Sequence, residues 1–253
     1  MKYSLKLART GIFTFDDVVS ITGNRDKADK TIASLLRSGE VRRIKRNLYT
    51  YVNAQTLEDC SSRYIIGSNI TDSSFISYHT AFEFYGYYNQ VFYEVQVSSV
   101  KKFQSFSYGE YDYYYFGTNS LKQVEVIQDV RVTTIERTIV DSINMLGKVM
   151  DVEELVKCID LVDRVNEDRL KEMLLEYDKD ILYRKAGYFL SFFKEDLNIS
   201  DSFFVFLKNH SNCNNIGYLS HNEIRKLEFV KEWGLYAYKD LKKIVSKGGD
   251  IDV

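Results

Sequence analysis

The chain has no proline and only three cysteines, three histidines and one tryptophan among its 253 residues. The cysteines, Cys60, Cys158 and Cys213, lie far apart and make no disulfide framework, which excludes the disulfide-stabilised secreted class and favours a reducing cytoplasm. Proline normally makes up about 5% of a chain, so its absence beside 20 tyrosines and 16 phenylalanines indicates the codon bias of an AT-rich genome. Aromatic richness alone is therefore weak support for any function.

Long apolar runs and glycine-rich loops are missing too. No stretch approaches the roughly 20 uninterrupted apolar residues of a membrane helix, and the sequence has no signal-peptide pattern. The adjacent glycines Gly248 and Gly249 lie in a polar tail and do not form a phosphate-binding loop. With 45% hydrophobic residues, the chain is expected to be a globular cytoplasmic protein that contacts no membrane.

Positive charge is concentrated in the first 52 residues. They contain eleven Lys and Arg against five Asp and Glu, a formal charge of +6, whereas the remaining residues sum to −8. The total of −2 hides this asymmetry. A basic end on an otherwise acidic chain indicates that the N-terminal segment binds an anionic partner such as DNA.

The same segment carries the signals of a winged helix-turn-helix in the required order. Thr14 predicts an N-cap, with Asp17 as the reciprocal partner of a capping box. Gly23 ends this helix, and Asn24 caps the next one after the short turn that the motif requires. Apolar residues of the second helix recur at i, i+4, i+7 and i+8 and predict one buried stripe: Ala28, Ile32, Leu35 and Leu36.

A predicted wing follows the second helix. Beyond Gly39, Val41–Lys45 and Leu48–Val52 predict two strands around a tight turn at Arg46 and Asn47. Phosphates supply most of the binding free energy of a DNA-binding protein, while a few side chains of an inserted helix contact base edges. We expect the DNA-binding residues to be Arg25, Lys27, Lys30, Thr31, Ser34, Arg37, Arg42, Arg43, Lys45 and Arg46. The alternative is a winged helix that docks on a protein partner.

The residues after the wing are too many for the same domain. We expect a winged helix-turn-helix DNA-binding domain over residues 1–53 and a larger α+β domain over residues 54–253. Strands in sequence followed by helices predict a mainly antiparallel sheet with C-terminal helices. The predicted helices are Leu57–Ile70, Tyr78–Tyr85, Ile135–Leu146, Val152–Val162, Glu167–Tyr177 and Ile181–Phe193; the predicted strands are Val91–Ser98, Phe103–Ser107, Tyr111–Phe116 and Val124–Val132.

One of these strands carries a run of tyrosines: Tyr111, Tyr113, Tyr114 and Tyr115. Exposed aromatic rings can form a stacking platform for single-stranded nucleic acid. Because aromatic residues also favour strands and the composition is rich in them, we predict a strand with aromatic side chains on both faces instead.

A family resemblance rests on three short segments. Arg46-Asn47-Leu48-Tyr49 ends the predicted wing, Phe75–Phe82 with Tyr85–Gly86 covers the second helix of the next domain, and Glu136–Asp141 starts the helix after the strands. In this order and spacing they resemble the AbiEi antitoxin family. Asn47 stands where the family usually has glycine, and asparagine tolerates the left-handed conformation that a tight turn needs.

The resemblance implies an antitoxin of a bicistronic abortive-infection system, in which the partner gene encodes a nucleotidyltransferase-like toxin. Family members repress their own promoter by binding inverted repeats through the N-terminal domain. Their C-terminal domain counters the toxin without a stable complex. The sequence shows no heptad pattern for a stable dimer, so we expect a monomer whose copies meet cooperatively on double-stranded promoter DNA.

Glu136, Arg137 and Asp141 allow two interpretations. Thr133 and Glu136 predict a capping box where the family has an aspartate-proline lead, and Arg137 and Asp141 are i,i+4 neighbours, so the cluster would fix this helix against the sheet. Alternatively, these residues face the toxin or its target and carry the antitoxin function. The sequence leaves both interpretations open.

A defence-associated enzyme with a nuclease-like second domain is the competing functional class. Glu94–Gln96 has glutamine where a metal-dependent nuclease would need lysine. His210, Cys213 and His221 could supply three metal ligands, but no second pair accompanies them. His79 lies in an apolar helical pattern and is expected to be a hydrogen-bonded core residue. We therefore predict no catalytic residue, no metal and no cofactor.

Overall fold

The computed structural model describes residues 11–220 and 226–246. Two compact units divide these residues between them. The N-terminal unit contains the described residues up to Ile76, with Tyr93–Leu121 and Glu125–Val132. The helical unit contains Ser77–Phe92, Lys122–Val124 and the described residues from Thr133 onwards. The domain boundary after residue 53 stays a prediction, since residues on both sides of it belong to the N-terminal unit.

The winged helix-turn-helix forms as the sequence predicts. Its elements are β1 (Ile12–Phe13), α1 (Phe15–Thr22), α2 (Arg25–Arg37), β2 (Val41–Lys45) and β3 (Leu48–Tyr51). The strands pair antiparallel in the order β1-β3-β2. Thr14 and Asp17 form the predicted capping box, and Gly23 ends α1 with a left-handed φ of 70°. Asn24 then caps α2 by accepting from the backbone N–H groups of Asp26 and Lys27.

This small domain has a core of its own. Phe13 stacks on Tyr49 with 5.5 Å between ring centroids, and Val18, Ala28 and Ile32 pack into the same buried cluster. Leu35 and Leu36, the other members of the predicted stripe, are half-buried against it. The apolar stripe therefore fixes which face of α2 remains exposed.

A six-stranded sheet follows among the described residues. Its strands are β4 (Phe75–Ile76), β5 (Glu94–Ser99), β6 (Phe106–Tyr108), β7 (Tyr111–Gly117), β8 (Val124–Ile127) and β9 (Val130–Thr133), in the order β6-β7-β5-β4-β9-β8. The short helix α3 (Arg63–Ser68) packs on it through Gly67, where a Cβ atom would lie only 2.7 Å from Ile76 Cδ1. The tyrosine run forms a strand as predicted, with Tyr113 buried and stacked on Phe106.

The six-stranded sheet contains both kinds of pairing: β4 with β5 and β6 with β7 are antiparallel, as the sequence predicted for most of the sheet, and two other pairs are parallel. β5 pairs in parallel with β7, and β4 in parallel with β9. Two local features prevent the parallel pairing from being predicted from the sequence. The strand β4 has two residues, too few for a periodic pattern, and the predicted strand Val124–Val132 is interrupted at Gln128 and Asp129, whose φ angles are positive. Since β6 and β7 form a hairpin at the sheet edge, β5 pairs with β7 instead of β6.

The helical unit contains most of the remaining elements. Its described helices are α4 (Tyr78–Tyr85), α5 (Ile135–Asn144), α6 (Val152–Asp160), α7 (Glu167–Tyr177), α8 (Asp180–Ser191), α9 (Asp201–Asn209) and α10 (Lys242–Ser246). A small sheet, which the sequence did not predict, has the order β10-β12-β11 and is formed by β10 (Gly217–Tyr218), β11 (Glu228–Val230) and β12 (Leu235–Ala237). The α+β class is therefore confirmed.

Several helix boundaries were predictable and one cap was not. The predicted bounds of α4 and α7 agree with the structure, whereas the predicted helix Leu57–Ile70 shortens to Arg63–Ser68. The capping box predicted for Thr133 and Glu136 was wrong, because Thr134 caps α5 by accepting from the N–H of Arg137. Thr133 instead ends β9, and its hydroxyl lies 2.7 Å from that of Thr138.

A continuous apolar core joins the helices of this unit and includes Phe82, Ile139, Leu155, Phe189 and Trp233. None of the helices in the described ranges combines the length and apolar character that crossing a bilayer requires.

Gly187 on α8 tests the packing of this core. An added Cβ would lie 2.2 Å from two ring atoms of Trp233, which is 2% exposed. We expect Gly187→Ala to lower the free energy of unfolding by about 1–3 kcal/mol because the buried indole must move, as measured by urea denaturation. Ser191→Ala, at an exposed position of the same helix, is the control and should change little. A Gly187→Ala protein as stable as wild type would contradict this packing.

Candidate nucleic-acid interface

The predicted recognition helix, α2, presents its polar face to solvent. The side chains exposed along it include the predicted Arg25, Lys27, Lys30, Ser34 and Arg37, and also Asp26, Asp29 and Ala33. Thr31 differs from them, because it is half-buried and its hydroxyl donates to the carbonyl of Lys27 over 2.8 Å. The accessible side of the helix therefore carries four cations, two aspartates and a small hydroxyl group. Its positive charge is in excess, which suits phosphate contacts, and its polar groups can contact base edges.

The wing turn is tied to the start of α1. Asn47 has a left-handed φ of 66°, and its side-chain Oδ1 accepts from the backbone N–H of Phe15 over 2.9 Å. The guanidinium of Arg25 lies 5.2 Å from the centroid of the Phe15 ring. Through Phe15, the wing turn and the first residue of α2 are held on the same side of the domain. Arg46, next to Asn47, is exposed there.

Two of the four predicted wing cations make contacts that compete with DNA. Arg42 donates to Asp59 Oδ1 over 3.1 Å and to the carbonyl of Leu57 over 2.8 Å. Lys45 is half-buried, with its Nζ 4.6 Å from the Phe106 ring centroid and 5.2 Å from that of Phe103. Burial lowers the pKa of Lys45 from its ordinary value. These contacts hold the wing against the residues that follow it.

Asp59 is the centre of a small polar network beside the wing. Besides Arg42, it accepts from the hydroxyl of Tyr108 over 2.7 Å. Burial, reinforced by the Asp59 carboxylate, raises the pKa of Tyr108. The positive charge of Arg42 is therefore compensated within the protein, and we expect this residue to position the wing more than to bind phosphate.

Arg43 and Arg46 are exposed, as Arg42 is, but within the described residues neither forms a salt bridge like that of Arg42 with Asp59. Arg43 is exposed and lies over the ring of Tyr49, 5.5 Å from its centroid, with Nη2 3.4 Å from the Tyr49 hydroxyl. Stacking of this kind orients a guanidinium without neutralising its charge. The wing thus keeps two arginines that can contact phosphates.

A second pair of cations, not predicted from the sequence, lies near the wing. Lys101 and Lys102 are exposed in the loop between β5 and β6, and the next residue, Phe103, is one of the two rings that Lys45 contacts. The loop is anchored where the N–H of Lys101 donates to Ser73 Oγ over 3.1 Å. Two adjacent lysines at a strand end were the available signal, but only the fold places them beside the wing.

Arg137 and Asp141 are fully buried in the helical unit. Arg137 Nε donates to Asp141 Oδ2 over 3.1 Å, and Nη1 donates to the carbonyl of Lys122. The hydroxyl of Tyr177 donates to Asp141 Oδ1 over 2.5 Å. Burial raises the pKa of Asp141 despite the opposing effect of Arg137 and Tyr177. This geometry gives the pair a role in joining α5 to α7.

Glu136 also has a local partner. Its carboxylate accepts from the N–H of Asn166, the N-cap of α7, over 2.8 Å. It lines an open cleft of about 650 Å³ together with Arg164 and Arg169. These contacts give the three residues of the predicted cluster a structural role between helices, and their part in the antitoxin function stays a prediction.

The described histidines and the metal candidate Cys213 have partners within the protein. His79 is buried, and its Nε2 lies 2.9 Å from Glu154 Oε1, as expected of a hydrogen-bonded core residue. His210 Nδ1 lies 2.9 Å from the carbonyl of Phe206. The Cys213 thiol donates to the carbonyl of Glu232. His221, the third ligand that the sequence suggested beside His210 and Cys213, lies outside the described residues.

Comparison with known proteins agrees with the geometry of the N-terminal segment. Residues 3–52 match the family model described as "Transcriptional regulator, AbiEi antitoxin". This segment is an AbiEi-type regulator domain. The match confirms the family that the sequence motifs suggested, and it ends at the last residue of the predicted wing hairpin.

The whole chain also resembles a solved structure, that of the RV2827C protein from Mycobacterium tuberculosis. The TM-score is 0.65 at 13% sequence identity, and the alignment covers 99% of this chain and 96% of the other. At this identity the likeness shows a shared fold. No curated protein matches the chain.

Replacement of Arg137 tests the structural role of the buried pair. Arg137→Met would leave the Asp141 carboxylate buried without its guanidinium, so we expect the free energy of unfolding to fall by about 3–5 kcal/mol. The double variant Arg137→Met/Asp141→Leu should recover most of this loss. Urea denaturation measures both, with Lys148→Met at an exposed position as the control. A stability of Arg137→Met within experimental error of wild type would refute the structural role.

Proposed function

We propose that this AbiEi-type protein is an antitoxin that also represses its own operon by binding inverted repeats in the promoter. The observation that carries the proposal is the side-by-side placement of two cationic elements. Through Phe15, the wing turn and the start of α2 lie on the same side of the domain, with Arg25 and Arg46 exposed there. A recognition helix in the major groove and a wing along the backbone require this placement.

The proposed interface divides its residues by role. Lys27, Lys30 and Ser34 on the exposed face of α2, with Arg25 at its start, would contact base edges and the adjoining phosphates. Phosphates would be bound by Arg37, Arg43 and Arg46, with Lys101 and Lys102 extending the surface beyond the matched segment. The remaining predicted residues, Thr31, Arg42 and Lys45, would position these groups, because each already contacts another part of the protein.

The proposed DNA complex contains two copies. Inverted repeats present two equivalent half-sites, and a two-fold arrangement of winged helices matches them. Because the sequence has no heptad pattern, we propose monomers that meet on DNA and bind it cooperatively.

The antitoxin role is proposed for the residues after the wing. It rests on the family description of the N-terminal segment, which names an antitoxin as well as a regulator. The partner would be a nucleotidyltransferase-like toxin encoded by the neighbouring gene, countered without a stable complex. The competing proposal is a winged helix that docks on a protein through apolar contacts, and the dependence of binding on salt separates the two.

Salt dependence tests the assignment of the wing arginines. Binding to DNA upstream of the gene is measured by fluorescence anisotropy at several salt concentrations. Each lost phosphate contact lowers the slope of log K against log salt by about 1, so Arg46→Ala should reduce the slope by this amount. Arg42→Ala is the matched control and should reduce it less, because Asp59 already compensates Arg42. Equal reductions would contradict the assignment, and a flat wild-type slope would favour protein docking.

A cell-based experiment tests whether repression and antitoxicity are separate. The variant Lys27→Ala/Lys30→Ala/Arg43→Ala/Arg46→Ala removes four exposed cations, so it should lose promoter repression. Expressed from an unrelated promoter at the wild-type level, it should still rescue cells from the toxin of the neighbouring gene. Loss of rescue at equal protein level would show that the two activities share these residues.

A further inference from the structure

A buried cluster of polar side chains lies between α4 and α6 in the helical unit. Each helix contributes two residues one turn apart: His79 and Glu83 from α4, and Glu154 and Cys158 from α6. His79 Nε2 lies 2.9 Å from Glu154 Oε1, and Cys158 Sγ lies 3.5 Å from the same oxygen. On the other side of the imidazole, Nδ1 lies 3.4 Å from Glu83 Oε1.

Burial makes this cluster unusual. The four residues are 0–6% exposed and lie among the apolar residues of the unit's core. Charged groups are normally kept at the surface unless they are paired or coordinate a metal. Within the cluster, two carboxylates and a thiol can carry more negative charge than the single imidazole can balance. A divalent cation would balance it.

The spacing of the candidate ligand atoms fits zinc. His79, Glu154 and Cys158 each offer one ligand atom, and these three atoms lie within 4.8 Å of one another. With zinc bonds of about 2.0 Å to nitrogen and oxygen and 2.3 Å to sulfur, tetrahedral ligand atoms lie about 3.3–3.5 Å apart. The distance from Cys158 Sγ to Glu154 Oε1 already fits, and His79 Nε2 and Glu154 Oε1 need to separate by a few tenths of an ångström. The ligand atoms of His79 and Cys158 lie within 4.8 Å of each other and would move closer when the ion binds.

The groups around these three residues hold them in place. Glu83 faces the second imidazole nitrogen of His79, the position that a carboxylate occupies in carboxylate–histidine–zinc triads. Gln90 Nε2 donates to Glu154 Oε2 over 3.1 Å, and the N–H of Phe92 donates to Glu83 Oε1 over 2.9 Å. The Phe92 ring packs edge-on against the His79 imidazole, with 4.2 Å between the two ring centroids. The cluster is therefore oriented before any ion binds.

We propose that His79 Nε2, Glu154 Oε1 and Cys158 Sγ bind a Zn²⁺ ion, with Glu83 orienting His79 through Nδ1. A water molecule takes the fourth position. On binding, the Cys158 S–H bond breaks, its proton passes to solvent and a sulfur–zinc bond forms, with no change of oxidation state. Thiolate, imidazole and carboxylate together form a ligand set that zinc prefers. The ion would join α4 to α6 and stabilise the helical unit.

This proposal is independent of DNA binding and is tested with Co²⁺ as a spectroscopic substitute. The full chain is stripped with a chelator under reducing conditions and titrated with Co²⁺. We expect one equivalent to produce thiolate-to-cobalt charge-transfer absorption and the intense visible bands of a four-coordinate ion. Excess Zn²⁺ should abolish both signals. A wild-type protein that stays folded yet shows no thiolate band would overturn the proposal.

Cysteine variants identify the ligand without disturbing the core. Cys60 is exposed and Cys213 is half-buried, so Cys60→Ser/Cys213→Ser leaves Cys158 as the remaining thiol. The charge-transfer band should persist in this variant and disappear in Cys158→Ser. A band that is lost in the double variant would place the metal at another cysteine and overturn the assignment.

Thermal unfolding provides a second readout that does not depend on light absorption by a metal-bound thiolate. A ligand that binds the folded state raises the melting temperature by mass action. Saturating Zn²⁺ should therefore raise the Tm of the wild-type chain and of Cys60→Ser/Cys213→Ser, and a chelator should reverse the rise. His79→Gln should show no such response. An equal rise in His79→Gln would show that zinc binds elsewhere.

Discussion

The geometry of the proposed DNA-binding surface depends on one hydrogen bond, from the backbone N–H of Phe15 to the side chain of Asn47. This bond joins a wing turn, which needs a left-handed residue, to the first turn of the helix-turn-helix. The Phe15 ring in turn supports the guanidinium of Arg25 at the start of α2. The core of the domain already packs the wing strands against the helices, and this link fixes the position of the wing turn beside the start of α2. With it, the wing and the recognition helix form a single surface.

The charge of that surface is smaller than the sequence suggests, because two of the predicted cations interact with other residues of the protein. Arg42 is compensated by Asp59, and Lys45 packs its ammonium against two phenylalanine rings. Such contacts stabilise the attachment of the wing, and they leave fewer cations able to displace counterions from DNA. The loop lysines Lys101 and Lys102 add charge that a search limited to the N-terminal segment would miss.

Features that depend on interactions between neighbouring residues could be predicted from the sequence, whereas features that depend on contacts between distant segments could not. Thr14, Gly23 and Asn24 act through neighbours a few residues away, so the helix-turn-helix could be predicted from local signals. The parallel pairing of β5 with β7 and the insertion of the two-residue β4 depend on contacts between distant segments, which periodicity does not record. For the same reason, the burial of His79 could be predicted from the sequence, but its proximity to Glu154 and Cys158 could not.

The most direct test of the central claim is methylation interference on the DNA upstream of the gene, with the wild-type protein. Guanine N7 lies in the major groove and adenine N3 in the minor groove, so the two modifications distinguish the groove that α2 enters. The account predicts that methylation of guanine N7 in both halves of an inverted repeat prevents binding. Binding that is blocked by adenine N3 methylation alone, or by neither modification, would contradict a recognition helix in the major groove.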